Sequence, residues 1–183
     1  MARPRQVSDA QIIEAARACF LEHGASVSTT VIAEQLGVSQ AALFKRFGTK
    51  EELLVAALRP GPEQLEALLA WIDAGPAAGP IRPQLVDLVQ RLRDRFAEFL
   101  PAMAVLRAAG LQRPETCGGE EPRRELPPVR LQRALTAWLT RAQATGTVTI
   151  ADPGAMAYAF LGAVHLQSFL TFMTGAALVH GAC

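Results

Sequence analysis

Residues 29–54 read "TTVIAEQLGVSQAALFKRFGTKEELL", and the punctuation inside this stretch decides the fold. Ile32, Ala33 and Leu36 recur at helical spacing, and Gly37 supplies the left-handed backbone that stops such a helix. Ser39 is placed to cap a second helix, and Val38 before it can staple onto Leu43. Two short helices joined by "GVS" form a helix-turn-helix: Ala33 is small where the helices cross, Gly37 is permissive in the turn, and Leu43 is apolar underneath.

The second helix has two distinct sides. At about 100° per residue, Leu43 and Phe47 share the core side while Ala41, Ala42 and Lys45 point away. Phe44 and Arg46 flank the outward face, and Gln40 sits at the exposed start. Small outward residues let a backbone approach a major groove, where Gln40 and Lys45 offer hydrogen bonds to base edges or phosphates. Phe44 and Arg46 would meet the groove walls. Thr49 and Glu52 form a capping box for the next helix, with Leu53, Leu54, Ala57 and Leu58 behind it, so Lys50 joins free backbone N–H groups in a phosphate site. Between Ser39 and Lys50 the charges are Lys45, Arg46 and Lys50, with no acid. Arg3 and Arg5, in a polar arm, add candidate minor-groove or phosphate contacts.

Upstream, Ser8 and Gln11 make a capping box for a first helix whose apolar side is Ile12, Ile13, Ala16, Cys19 and Phe20, and Gly24 ends it. Downstream, "RPGP" closes the fourth helix at Pro60. "EQLEALLAWIDA" reads as a fifth helix, and Leu85, Leu88, Leu92, Phe96 and Phe99 as the stripe of a sixth. Pro101 is then read as the first residue of a seventh, a position proline tolerates. Residues 111–127 read as a long loop. An eighth helix carries Leu131, Leu135 and Trp138, and a ninth starts after Asp152 with Pro153 at its first position. The expected fold is therefore all-α, with about nine helices. An N-terminal three-helix helix-turn-helix domain with its following helix occupies residues 1–58, and a larger helical domain residues 59–183.

Composition narrows the function. Half of the 183 residues are hydrophobic, 19% are charged, and the formal charge is +1, so nucleic-acid contact has to come from a local cluster. Cys19, Cys117 and Cys183 lie far apart and give no disulfide framework, which fits a reducing, cytoplasmic setting. Cys117 and Cys183 leave a thiol-sensing role open. "MARPRQVSDAQ" lacks the apolar core of a secretory signal. No GxGxxG, P-loop or GxSxG is present, and His23, His165 and His180 lack metal-ligand spacing, so neither an enzyme, a cofactor nor a metal is expected. From Gly154 to Cys183 the chain carries no acid, Lys or Arg, long enough to span a bilayer and the basis of a rival reading as a tail-anchored adaptor. The alternative favoured is a helix buried in protein, with His165, Gln167 and Ser168 at its middle and Ala155, Ala159, Gly162 and Ala163 allowing close packing.

These residues also resemble a family. "IIEAARACFLEHG" followed by the pattern IA-x-x-x-GVS-x-x-x-L-aromatic-x-x-F-x-x-K-E-x-L looks like the N-terminal signature of tetracycline-repressor-like (TetR family) transcriptional regulators, over about residues 8–58. The resemblance implies DNA contacts at Ser39, Gln40, Ala41, Ala42, Phe44, Lys45 and Lys50, with Ser28 and Thr29 on the backbone. Where most members carry Tyr this chain has Phe44, and the hydroxyl that would reach a phosphate is missing. The resemblance further implies a repressor bound as a homodimer to a pseudo-palindromic double-stranded operator and controlled by a small-molecule effector, with no membrane involved. Candidate effector-lining residues are Trp71, Phe96, Phe99, Met103 and His165, with ordinary core packing, and for His165 a satisfied buried histidine, as the plainer reading of each. The dimer would form through two helices, residues 128–145 and 153 to about 179, with Leu131, Leu135, Trp138, Ala159, Gly162, Ala163 and Leu166 as candidate interface residues.

Overall fold

Side-chain caps set where most of the helices begin. The structure, a computed structural model, describes residues 7–111 and 126–175, which form eight α-helices and no strand. At α1 (Asp9–His23) the Ser8 hydroxyl accepts from the Gln11 N–H while the Gln11 side chain accepts from the Ser8 N–H. At α2 (Thr29–Leu36) and α3 (Gln40–Phe47) the hydroxyls of Ser28 and Ser39 accept from Thr30 and Ala42. Gly37 between them has φ 66 and ψ 30, the left-handed conformation in which a side chain is strained. Thr49 and Glu52 close a second capping box at α4 (Lys50–Leu58). The chain continues through α5 (Pro62–Ala74), α6 (Ile81–Ala108), α7 (Pro127–Ala144) and α8 (Pro153–Thr174), the last capped by Asp152.

The helices gather into two units. The first comprises the described residues of Met1–Pro60 and Pro101–Glu115. In it α1 lies against α2 and α4, and α3 against α2 and α4. Its core joins Ile12, Ala16 and Phe20 to Ile32, Leu43, Leu53, Leu54 and Leu58, and takes in Ala102 and Leu106 from the end of α6. Each of the Ile, Leu and Phe side chains among these contributes about 1.5–3 kcal/mol through burial.

The second unit comprises Gly61–Leu100 and the described residues of Thr116–Cys183. Here α7 packs on both α5 and α8, around Leu65, Leu69, Ile72, Leu88, Leu92, Leu135, Trp138, Leu139, Ala157 and Val164. Arg141 donates to the carbonyls of Ile72, Asp73 and Gly75, satisfying orphan acceptors at the end of α5. Gly75 has to be small: a Cβ there would sit 2.7 Å from the Trp138 indole nitrogen. Arg130 grips Glu66 through two hydrogen bonds, 2.6 and 2.8 Å.

Three sequence expectations change. Pro101 does not open a new helix but lies inside α6, which therefore replaces two expected helices. Proline removes one hydrogen bond there, yet the helix continues because Ala102 and Leu106 beyond it are buried in the first unit's core. For the same reason the first unit is not closed at residue 58. Finally, α8 stops at Thr174, where Gly175 adopts φ 66 and caps it through a bond to the Thr171 carbonyl, short of the expected end near residue 179. Residues 1–6, 112–125 and 176–183, and with them Arg3, Arg5, Cys117, Cys183 and His180, lie outside the described residues.

Because Pro101 sits in a helix interior, Pro101→Ala is expected to raise stability by roughly 1–3 kcal/mol in urea denaturation. At the first turn of a separate helix the same change would be close to neutral.

Candidate nucleic-acid interface

α3 is eight residues long, too short to persist by itself in water. It is held by Leu43, 1% exposed, and by the half-buried Phe47 and Val38 at the edge of the same core. That leaves Gln40, Ala41 and Lys45 exposed, with Ala42 and Phe44 half-buried beside them. Phe44 thus shares its ring between protein and solvent, a placement open to apolar contact with sugar or a thymine methyl. Ser39 and Ser28 are exposed with their hydroxyls engaged in capping α3 and α2.

Two residues of the expected set are otherwise engaged. Thr29, expected at the DNA backbone, is 4% exposed, and its hydroxyl oxygen accepts a 2.7 Å hydrogen bond from Gln40 Nε2. Arg46 turns toward the start of α1: its guanidinium donates to the Val7 carbonyl and pairs with the Asp9 carboxylate at 3.2 Å. Neither link is visible in the sequence, where the partners stand far apart with no periodic relation. Lys50 is half-buried at the first position of α4 and lines an open cleft of about 290 Å³ with Ala25, Ser26, Glu51, Leu54, Ala109 and Leu111.

The candidate effector residues do not converge. Phe96 and His165 meet edge to face at 5.1 Å, but His165 is exposed and not a buried core histidine. Trp71 is covered by the Arg91 guanidinium at 4.5 Å, and Phe99 faces Arg95 at 5.4 Å. Met103 packs on the first unit's core, whereas the other four belong to the second unit. The candidate dimer residues divide just as sharply. Leu131, Leu135 and Trp138, 7%, 1% and 1% exposed, fill the chain's own core, whereas Ala159, Gly162, Ala163 and Leu166 are exposed on α8. Sequence reasoning missed the rest of that face, including Phe169 and Met173. Cys19 is buried, which together with Glu22 pushes its thiol pKa up and disfavours the reactive thiolate.

A capped two-helix unit crossing on small residues, with its second helix seated on one leucine and facing outward with small and basic side chains, defines a helix-turn-helix protein. Residues 12–57 match the bacterial regulatory proteins of the tetR family. Solved structures share the fold. A TetR-family transcriptional regulator from Agrobacterium tumefaciens matches with a TM-score of 0.58 at 22% identity, over 91% of this chain and 87% of that one. The TetR-family regulator PfmR from Thermus thermophilus gives 0.55 at 21%, over 93% and 89%. A structure described as the molecular basis for control of antibiotic production by bacterial hormones gives 0.59 at 23%, over 90% and 85%.

The Arg46 contacts carry their own expectation. Arg46→Ala and Asp9→Ala should each cost about 0.5–1 kcal/mol in urea denaturation, with the double variant costing less than the sum.

Proposed function

We propose that this chain is a transcriptional repressor that binds a pseudo-palindromic operator as a homodimer and is released by, or recruited through, a small-molecule effector. The observation that carries the reading is the outward face of α3, where exposed Gln40, Ala41 and Lys45 stand clear of any acid between Ser39 and Lys50. Small side chains admit the helix to a major groove, Lys45 supplies charge, and Gln40 supplies a base-edge donor and acceptor. Lys50 and the first N–H groups of α4 offer a phosphate site, moderated by Glu51 and Glu52. Residues 1–58 would carry the DNA-reading function and residues 59–183 the effector and dimer functions, with the last turns of α6 serving the first unit's core.

The dimer reading rests on α8. Ala155, Ala159, Gly162, Leu166, Phe169 and Met173 are all exposed and follow alternating steps of four and three residues, the spacing of a coiled-coil seam. Small residues occupy the first half of this stripe and large ones the second. Antiparallel pairing about a two-fold axis would set the large half of one copy against the small half of the other. The opposite side of α8 is committed to the chain's own core through Ala157 and Val164. α8 is 22 residues long and by length and composition could also cross a membrane, which keeps the tail-anchored adaptor as the rival. A soluble dimer in gel filtration without detergent would eliminate that rival, and a cytoplasmic location follows from access to DNA. Phe96, His165 and Trp71 border the second unit's core and are the remaining candidates for sensing an effector.

Selection from random duplex DNA should yield a palindrome. The Gln40→Ala, Lys45→Ala double variant should stay folded and dimeric by circular dichroism and light scattering yet lose sequence-specific binding. Its unaltered binding would remove α3 as the reading helix. Operator affinity should fall with salt, with a log–log slope of roughly −0.9 per neutralised phosphate. Leu166→Glu, placed at the centre of the α8 stripe, should yield monomers in light scattering while the helical circular dichroism signal is kept.

A further inference from the structure

The contact between Thr29 and Gln40 fixes more than the angle of two helices. Gln40 is exposed at the first position of α3, and a free glutamine there would rotate its amide, presenting donor or acceptor to whatever base lies opposite. Its Nε2 instead donates to the Thr29 hydroxyl oxygen at 2.7 Å, and Thr29 is 4% exposed at the first position of α2. A buried partner is shielded from water, so the bond is harder to exchange than one at the surface. A primary amide has two N–H hydrogens and one carbonyl oxygen. With one hydrogen committed to Thr29, one donor and one acceptor remain for DNA.

We infer that Thr29 is a positioning residue that orients the Gln40 amide to read adenine, so that each half-site carries one A·T pair selected through this contact. Adenine presents an acceptor, N7, beside a donor, the N6 amino group, which the free N–H and the Oε1 of Gln40 match in pairs. Guanine presents two acceptors, N7 and O6, and sets its O6 against the amide oxygen. Were the amide reversed, two donors would face the groove and guanine would be preferred. The inference rests on the operator-binding reading above and deepens it, because it names the base and moves Thr29 from the DNA backbone to the interior of the reading head.

Thr29→Val keeps the shape of the side chain and replaces the hydroxyl with a methyl, and Thr29→Ser keeps the hydroxyl. The full chain and both variants are compared by selection from random duplex DNA at one salt concentration, with Gln40→Ala locating the pair that Gln40 reads. Thr29→Val is expected to lower the preference for A·T at that one pair about tenfold and to leave the remaining positions and the salt slope unchanged, while Thr29→Ser keeps the wild-type profile. A Thr29→Val profile identical to wild type, a loss spread evenly over all positions, or guanine as the selected base would each overturn the inference. Failure of the wild-type chain to enrich any sequence would instead overturn the operator-binding reading, and this inference with it.

Discussion

The packing of Leu43 beneath α3 is the constraint on which the helix-turn-helix depends. Eight residues cannot hold a helix in water, because nucleation costs more than so few hydrogen bonds return. Leu43 anchors the segment in the core built by Ile12, Phe20, Ile32 and Leu58, Ser39 satisfies one end, and Gly37 turns the chain so that α2 and α3 cross. Gln40, Ala41 and Lys45 are exposed because Leu43 beneath them is committed to the core. A side chain at Gly37 or a smaller one at Leu43 would therefore disturb the outward face without lying on it.

Local chemistry made much of this architecture legible in the sequence. Ser8 with Gln11, Thr49 with Glu52, Ser39, Gly37 and Asp152 each declare a helix boundary through bonds to near neighbours in the chain, and each forms as expected. Contacts over longer separations were not legible. Nothing in the spacing ties Gln40 to Thr29 or Arg46 to Asp9 and Val7, so the links engage Thr29, which the family resemblance had set at the DNA backbone, and Arg46, which helical spacing had set beside the outward face. Pro101 misled because its local signal for a helix start was outweighed by burial of Ala102 and Leu106 beyond it. Leu131, Leu135 and Trp138 show the same limit from another direction: an apolar stripe announces burial without saying whether the chain's own core or a second copy supplies it.

α8 has a closed face and an open one. Its Ala157 and Val164 side is closed by the chain itself, and its Ala159 to Met173 side is left open. A stripe of large apolar residues on the outside, including Leu166, Phe169 and Met173, is uncommon on a monomer surface. The seam spacing of that stripe, and the division of small from large along it, distinguish it from a helix merely apolar all round.

The membership of Pro101–Ala108 in the first unit bears on how that unit can be transplanted. A helix-turn-helix unit cut at Pro60 and grafted onto another protein would leave behind Ala102 and Leu106, and with them part of the core that also holds Phe20 and Leu58. A transplantable unit is a discontinuous one, so hybrid proteins built from this chain would have to carry those turns of α6 along, in a graft with two junctions.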